Sequence, residues 1–137
     1  MIKALIVDDE EKSRVTLKNL LGMYCSEVDV LDLCDSVETA LIAINKQMPD
    51  LVFLDIEMPF QNGFTLLEKI NNPSFRVVFT TAYGHYAIKA IKYSALDYLL
   101  KPIDVDELKA AVDKVQKHKE NTDASLPNFE LLFSNLK

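Results

Sequence analysis

Cysteine and long apolar runs are both scarce in this chain of 137 residues. Two cysteines, Cys25 and Cys34, are too few for a disulfide framework, and neither has the close partners that a zinc site needs. No apolar run approaches the roughly 18 residues of a membrane-spanning helix, and the N-terminus lacks the apolar region of a signal peptide. We therefore expect a cytoplasmic protein with reduced thiols and no membrane partner.

Positive charge is also in short supply. The chain has 15 Lys and Arg against 21 Asp and Glu, and its net charge is −6. An acidic domain without a basic stripe is a poor nucleic-acid binder, so any contact with DNA would have to come from another domain. The apolar fraction of 49% and the charged fraction of 26% are typical of a globular domain and exclude a disordered chain or a coiled coil.

Short continuous apolar runs predict five β-strands. Such runs are typical of parallel strands that are covered on both faces. The predicted strands are 4–7, 28–33, 51–54, 76–80 and 97–100.

Helical periodicity separates these runs. The predicted helices are 13–24, one that begins after Ser36, one that begins after Gly63, 87–91, and one from Val105 to about residue 119. Ser36 is the predicted N-cap of the second helix, with Thr39 as a weak capping-box partner. Five strand-then-helix units predict an α/β fold with a doubly wound, five-stranded parallel sheet and five helices, since parallel strands need crossover connections.

The last residues differ in composition from the rest. We expect one domain over residues 1–119, followed at 120–137 by a linker and the start of a C-terminal output region that is missing from this chain. A loosely attached or disordered tail is the alternative interpretation.

Polar side chains follow four of the five predicted strands. Asp8 and Asp9 come after the first strand, Asp55 after the third, Thr81 at the end of the fourth and Lys101 after the fifth. Ligands bind outside the carboxyl ends of the strands in open α/β sheets. Each residue alone could belong to an ordinary turn, helix cap or surface, but together they predict one site.

The chemistry of this set favours phosphoryl transfer. Three carboxylates in one cleft repel each other unless a cation lies between them, and oxygen ligands with room for water suit Mg²⁺. A lysine ammonium and a threonine hydroxyl suit phosphoryl oxygens. A free carboxylate beside them can act as a nucleophile and form an acyl phosphate.

Four motifs together resemble a response-regulator receiver domain over about residues 1–119: 5–10, 54–59 with Gly63, 79–83 and 98–102. The stretch 80–90 further resembles the receivers of LytTR-type (LytR/AlgR family) transcriptional regulators. The resemblance implies a flavodoxin-like sheet with strand order 2-1-3-4-5. It also implies a cognate sensor histidine kinase as partner and a cis Lys101–Pro102 bond.

The resemblance implies a role for each matching residue. Asp55 is the phosphoacceptor. The Mg²⁺ ligands are Asp9, Asp55, Asp8 through water and the backbone carbonyl of Glu57. Lys101, Thr81 and Ala82 bind the phosphoryl group, and Thr81 and Tyr98 form the switch.

The predicted function is a phosphorylated receiver that switches an attached DNA-binding output domain and turns over no separate substrate. A phosphorylation-dependent homodimer through helix 4, strand 5 and helix 5 is a further expectation. A stand-alone phosphotransfer intermediate without DNA output is the alternative. A phosphatase of the haloacid dehalogenase type is disfavoured, because it needs Thr or Val where this chain has Pro59. His85 is expected on the surface of helix 4, and His118 is expected to be a cation at the end of helix 5.

Overall fold

Five parallel strands form one sheet, in a computed structural model that describes residues 1–70 and 73–120. The strands are β1 (Ile2–Val7), β2 (Val28–Cys34), β3 (Leu51–Asp55), β4 (Arg76–Thr81) and β5 (Asp97–Leu100). Their order is β2-β1-β3-β4-β5, which confirms the expected topology. β1 begins two residues before the predicted start, because Ile2 is fully buried and Lys3 between it and Ala4 points to solvent.

Helices connect successive strands. They are α1 (Glu11–Tyr24), α2 (Val37–Gln47), α3 (Gly63–Glu68), α4 (Ala87–Lys92) and α5 (Val105–Glu120), with a 3-10 turn at Gly84–Tyr86 before α4. α5 includes Glu120, and the prediction for residues 121–137 lies outside the described part of the chain. His85 lies in the 3-10 turn rather than on α4 itself.

The start of α2 shows how local sequence fixes a helix end. Ser36 Oγ accepts a hydrogen bond from the N–H of Thr39 at 3.1 Å, and Thr39 Oγ1 accepts one from the N–H of Ser36 at 3.2 Å. Both bonds of a capping box are therefore present, although threonine replaces the usual glutamate or glutamine.

Each face of the sheet carries its own apolar core, because alternate residues of a strand point to opposite faces. One face packs against α2, α3 and α4, and the other packs against α1 and α5. β3 is buried along its whole length, as expected for the central strand of a doubly wound sheet.

Both cysteines are free and buried. Within residues 1–70 and 73–120, no helix is long and apolar enough to cross a membrane. The expected cis peptide bond at Lys101–Pro102 is present.

Candidate functional site

Three carboxylates meet at the carboxyl edge of the sheet. Asp8 directly follows β1, Asp9 comes next, and Asp55 is the last residue of β3. Carboxylate oxygens from all three lie within 4.8 Å of one another. Asp8 and Asp55 are each only 3% exposed, and Asp9 is the more accessible of the three. The structure thus brings together the acidic residues that the sequence predicted to converge.

Lys101 provides the positive charge of the site. Its Nζ lies 2.7 Å from Asp8 Oδ2 and 3.4 Å from Asp55 Oδ2. Its backbone N–H donates to the carbonyl oxygen of Thr81 at 2.7 Å, which anchors the residue to the end of β4. Burial alone would lower the pKa of Lys101, but the two carboxylates outweigh burial and raise it. Lys101 is therefore a permanent cation here.

The Asp55 carboxyl lies in an environment that disfavours its charge. Burial and the negative charge of Asp8 raise its pKa and Lys101 opposes the rise, so that the pKa lies at about 7. One ammonium group faces three carboxylates, so a further positive charge would reduce the repulsion among them. A divalent cation bound by oxygen ligands would supply it.

Asp8 is fixed by two contacts that the sequence did not reveal. Its Oδ1 accepts a hydrogen bond from the N–H of Glu10 at 2.9 Å, and its backbone carbonyl accepts one from Arg14 Nη1 at 2.8 Å. Arg14 lies on the first turns of α1. The signal for this contact in the sequence was the spacing of six residues between Asp8 and Arg14, which places the guanidinium beside the end of β1.

The loop after β3 approaches the site closely at Gly63. The N–H of Gly63 donates to the carbonyl of Ile56 at 2.9 Å. A Cβ atom on Gly63 would lie only 2.5 Å from the backbone oxygen of Asp55. Gly63 was part of the sequence motif without an assigned role, and the structure shows that the absence of a side chain permits the loop to close.

Thr81 and Tyr98 both contact the backbone of Tyr83. Thr81 is fully buried at the end of β4, and its Oγ1 accepts a hydrogen bond from the N–H of Tyr83 at 3.3 Å. Tyr98, partly buried on β5, donates its hydroxyl to the carbonyl oxygen of Tyr83. Asp55 pairs with Thr80 in the sheet, which places Thr81 at the same edge as the carboxylates. Ala82, the next residue, is exposed there.

Glu57 joins the loop after β3 to the 3-10 turn before α4. Its N–H donates to Asp55 Oδ1 at 3.3 Å, and its side-chain Oε1 accepts a hydrogen bond from the hydroxyl of Tyr86. This hydrogen bond raises the pKa of Tyr86, which keeps the phenol protonated. The sequence motifs imply a role only for the backbone carbonyl of Glu57 and none for Tyr86.

The fold and the site define a class of protein: a flavodoxin-like α/β domain with an acidic cluster and a lysine at the carboxyl edge of its sheet. Residues 4–113 match the family model described as the response regulator receiver domain. This chain therefore belongs to the response regulator receiver family, as its sequence motifs indicated.

Curated relatives agree with this assignment. The chain is 43% identical over 124 residues to the sensory transduction protein LytT of Bacillus anthracis, covering 88% of this chain and 50% of that protein. It is 38% identical over 128 residues to the transcriptional regulatory protein BtsR of Escherichia coli K12, covering 92% and 53%. These relatives support the resemblance to LytTR-type regulators. The chain spans about half the length of the curated relatives it matches.

Solved structures show the same fold. The response regulatory domain of protein mrkE from Klebsiella pneumoniae matches with a TM-score of 0.80 and 27% identity, over 88% of this chain and all of that domain. The response regulator TrrA from Thermotoga maritima, solved in complex with Mg²⁺-BeF, matches with a TM-score of 0.73 and 33% identity, over 84% and 99%.

Proposed function

We propose that this chain accepts a phosphoryl group on Asp55 from a sensor histidine kinase and uses it to switch an attached output domain. The observation that carries the proposal is a buried carboxyl that shares a cluster with Asp8 and Asp9 and has the Lys101 ammonium 3.4 Å away. Such a group can act as a nucleophile toward phosphorus beside a fixed positive charge. Membership of the receiver family supports the same role.

The cluster suits Mg²⁺, with Asp9, Asp55 and the backbone carbonyl of Glu57 as direct ligands. Asp8 already accepts hydrogen bonds from Lys101 and from the N–H of Glu10, which favours its contact with the metal through water. Hard oxygen donors of this kind are the ligands that Mg²⁺ prefers, and it usually keeps several waters. When bound, Mg²⁺ supplies positive charge that stabilises the ionised phosphoacceptor and the phosphoryl oxygens.

The reaction is an in-line displacement at phosphorus. An oxygen of the Asp55 carboxylate forms the new bond as the phosphorus–nitrogen bond to the kinase histidine breaks, and the electron pair leaves with the imidazole nitrogen. Lys101, the hydroxyl of Thr81 and the backbone N–H of Ala82 bind the phosphoryl oxygens. The product is a modified receiver rather than a released molecule, so the chain acts as an acceptor and not as an enzyme with a separate substrate.

The switch follows from the contacts of Thr81. When its hydroxyl turns to the phosphoryl group, the N–H of Tyr83 loses its acceptor, and the carbonyl that holds Tyr98 moves with the same residue. The consequence is a shift between two arrangements of the surface formed by α4, β5 and α5.

We propose that the activated chains pair through this surface. Ile88, Ile91 and Leu100 on it are 77%, 56% and 47% exposed, and α4 carries Lys89 and Lys92 beside the two isoleucines in sequence. A two-fold dimer would bury these apolar groups against their own copies.

The proposed output is transcription. The relative BtsR is a transcriptional regulatory protein, and only about half of its length is matched. We infer a DNA-binding output domain beyond a linker within residues 120–137, since the acidic receiver itself is unsuited to DNA. The proposed location is the cytoplasm, where the kinase presents its phosphorylated histidine.

The experiment is labelling of the chain with a small acyl-phosphate donor and Mg²⁺, followed by intact mass measurement. The unmodified chain should gain one phosphoryl group, and Asp55→Asn should gain none. Asp35→Asn is the matched control, because Asp35 follows β2 at the same edge of the sheet and should not affect labelling. Undiminished labelling of Asp55→Asn would contradict the assignment.

A further inference from the structure

We propose that Tyr86 is a positioning residue for the metal-binding loop: its hydroxyl holds the Glu57 side chain and thereby orients the backbone beside Asp55. This inference rests on the proposed function, because it concerns how the chain presents the Glu57 carbonyl to Mg²⁺. It adds a residue from the 3-10 turn before α4 to the parts that shape the site.

Glu57 is held at two points. Its backbone N–H donates to the phosphoacceptor, Asp55 Oδ1, at 3.3 Å, and its side chain accepts the hydroxyl of Tyr86. The residue that carries the proposed metal ligand is therefore held on one side by the contact of its N–H to Asp55 and on the other by the contact of its side chain to Tyr86. A change at either contact should therefore shift the position of the Glu57 carbonyl oxygen.

Tyr86 is itself fixed by aromatic packing. Its ring lies edge-on to Phe64, with the ring centroids 6.0 Å apart, and beside His85 at 4.2 Å. Phe64 is buried, follows Gly63 directly and stacks on Tyr93 at 5.1 Å. The phenol hydroxyl is thus presented to Glu57 by a ring whose position is already determined, which lowers the entropic cost of the hydrogen bond.

Burial restrains Glu57 less than its neighbours in the loop. Ile56 is fully buried and Met58 packs against the core, but the Glu57 side chain between them is exposed. An exposed side chain is held mainly by its hydrogen bonds. The bond to Tyr86 is therefore expected to matter more for the geometry of Glu57 than for the stability of the fold.

The test measures Mg²⁺ affinity from amide chemical-shift titrations of isotope-labelled chain. Tyr86→Phe removes the hydroxyl and keeps the ring, and we expect its Mg²⁺ dissociation constant to rise roughly two- to tenfold, the factor equivalent to the net contribution of one hydrogen bond. In the metal-free chain the amide signals of Asp55 and Glu57 should also shift. Tyr83→Phe is the matched control, because it removes a phenol hydroxyl from an exposed ring and keeps both the backbone contacts of Tyr83 and its ring contact with His85 at 5.8 Å. It should change neither quantity.

A double-mutant cycle separates the hydrogen bond from the charge of Glu57. Glu57→Ala alone removes both the hydrogen bond and the charge, so the change in Mg²⁺ affinity that it causes cannot be assigned to one of them. If Tyr86 acts through Glu57, Tyr86→Phe should have no further effect on Mg²⁺ affinity in the Glu57→Ala background.

Two results would overturn the inference while leaving the proposed function intact. One is an unchanged Mg²⁺ affinity in Tyr86→Phe, even if its melting temperature falls, since that would make the role structural only. The other is a Tyr86→Phe effect that persists in full without Glu57. Absence of any Mg²⁺ binding by the unmodified chain would instead contradict the proposed metal site, and this inference with it.

Discussion

Tyr98 donates its hydroxyl hydrogen bond to the backbone carbonyl oxygen of Tyr83. The N–H of the same Tyr83 donates to Thr81 Oγ1 at 3.3 Å. The two side chains proposed as the switch, on neighbouring strands, are therefore connected through a single residue of the loop between β4 and α4. Displacement of the Thr81 hydroxyl would remove the hydrogen bond to the Tyr83 N–H and change the one that Tyr98 donates to the Tyr83 carbonyl.

Thr81→Ala should separate phosphorylation from its structural consequence. Asp55 and Lys101 remain in place, so labelling should persist, but the Tyr83 N–H has lost its acceptor before phosphorylation begins. The ring signals of Tyr98 should then change little on phosphorylation, whereas they should change clearly in Thr81→Ser, which keeps a hydroxyl. A full phosphorylation-induced change at Tyr98 in Thr81→Ala would refute the connection.

The fold and the charged centre of the site could be predicted because they depend on local pattern. Continuous apolar runs that end in Asp8, Asp55 and Lys101 specify buried parallel strands and the edge where their side chains meet. The contact of Tyr86 could not be predicted in this way, because it depends on how the 3-10 turn packs beside the loop after β3. For Arg14, its spacing of six residues from Asp8 was the only signal. Glu57 and Tyr86 are 29 residues apart in the chain.

The neighbours of His118 were also beyond the reach of the sequence. His118 was expected to act as a cation at the end of α5. Burial lowers its pKa, and the positive charge of Arg76 adds to this effect; both oppose the cationic form. The sequence shows the helix end but not that β4 brings an arginine near it.

Mg²⁺ should stabilise the chain, because a ligand that binds only the folded state raises the free energy of unfolding. Saturation at 100 times the dissociation constant would contribute about 2.7 kcal/mol. Asp9→Asn should lose most of this response. Asp8→Asn should keep more of it, since Asp8 is proposed to bind through water. Melting curves with and without Mg²⁺ measure the difference.

Without metal, the same two substitutions should change the free energy of unfolding in opposite directions. Asp8→Asn weakens the 2.7 Å ion pair with Lys101, and the loss of a buried charged hydrogen bond costs roughly 1–3 kcal/mol. Relief of the repulsion between Asp8 and Asp55 offsets part of this cost. Asp9→Asn removes one repelling charge from the cluster and should raise the metal-free stability. An equal Mg²⁺ response in the unmodified chain and Asp9→Asn would count against the ligand assignment.

The metal-free chain should lose stability relative to Asp55→Asn as the pH rises. Burial, with the charge of Asp8, raises the pKa of Asp55 to about 7 in the folded state, against about 3.9 in an unfolded chain. Between these values the folded state binds more protons, so this contribution is complete below about pH 4 and is lost as the pH rises through about 7. Urea unfolding of both chains at several pH values in a chelator gives the comparison. Parallel pH profiles would show that Asp55 ionises without penalty.

Two glycines provide a matched test of the loop that closes on Asp55. Gly63→Ala would place a Cβ 2.5 Å from the Asp55 backbone oxygen, and the required shift should cost roughly 1–3 kcal/mol. Gly22 lies on α1, where an added Cβ would meet nothing within 4 Å, so Gly22→Ala should stabilise the chain by about 0.5–1 kcal/mol. Urea unfolding should give opposite signs, and a neutral Gly63→Ala would disprove the steric argument.

Phosphorylated chains should self-associate through the surface of α4, β5 and α5, and Asp97 tests this surface. In the structure Asp97 pairs within its own chain, with Lys114 Nζ 3.0 Å from its carboxylate. Asp97→Lys reverses the charge on β5 and should weaken association without affecting the labelling of Asp55. Since Asp97→Lys also breaks the internal pair, Lys114→Ala is needed as a control: it breaks the same pair, leaves the Asp97 carboxylate available and should not weaken association. Sedimentation at several concentrations of phosphorylated chain measures the effect. A monomer at every concentration, or a dimer indifferent to Asp97→Lys, would reject this interface.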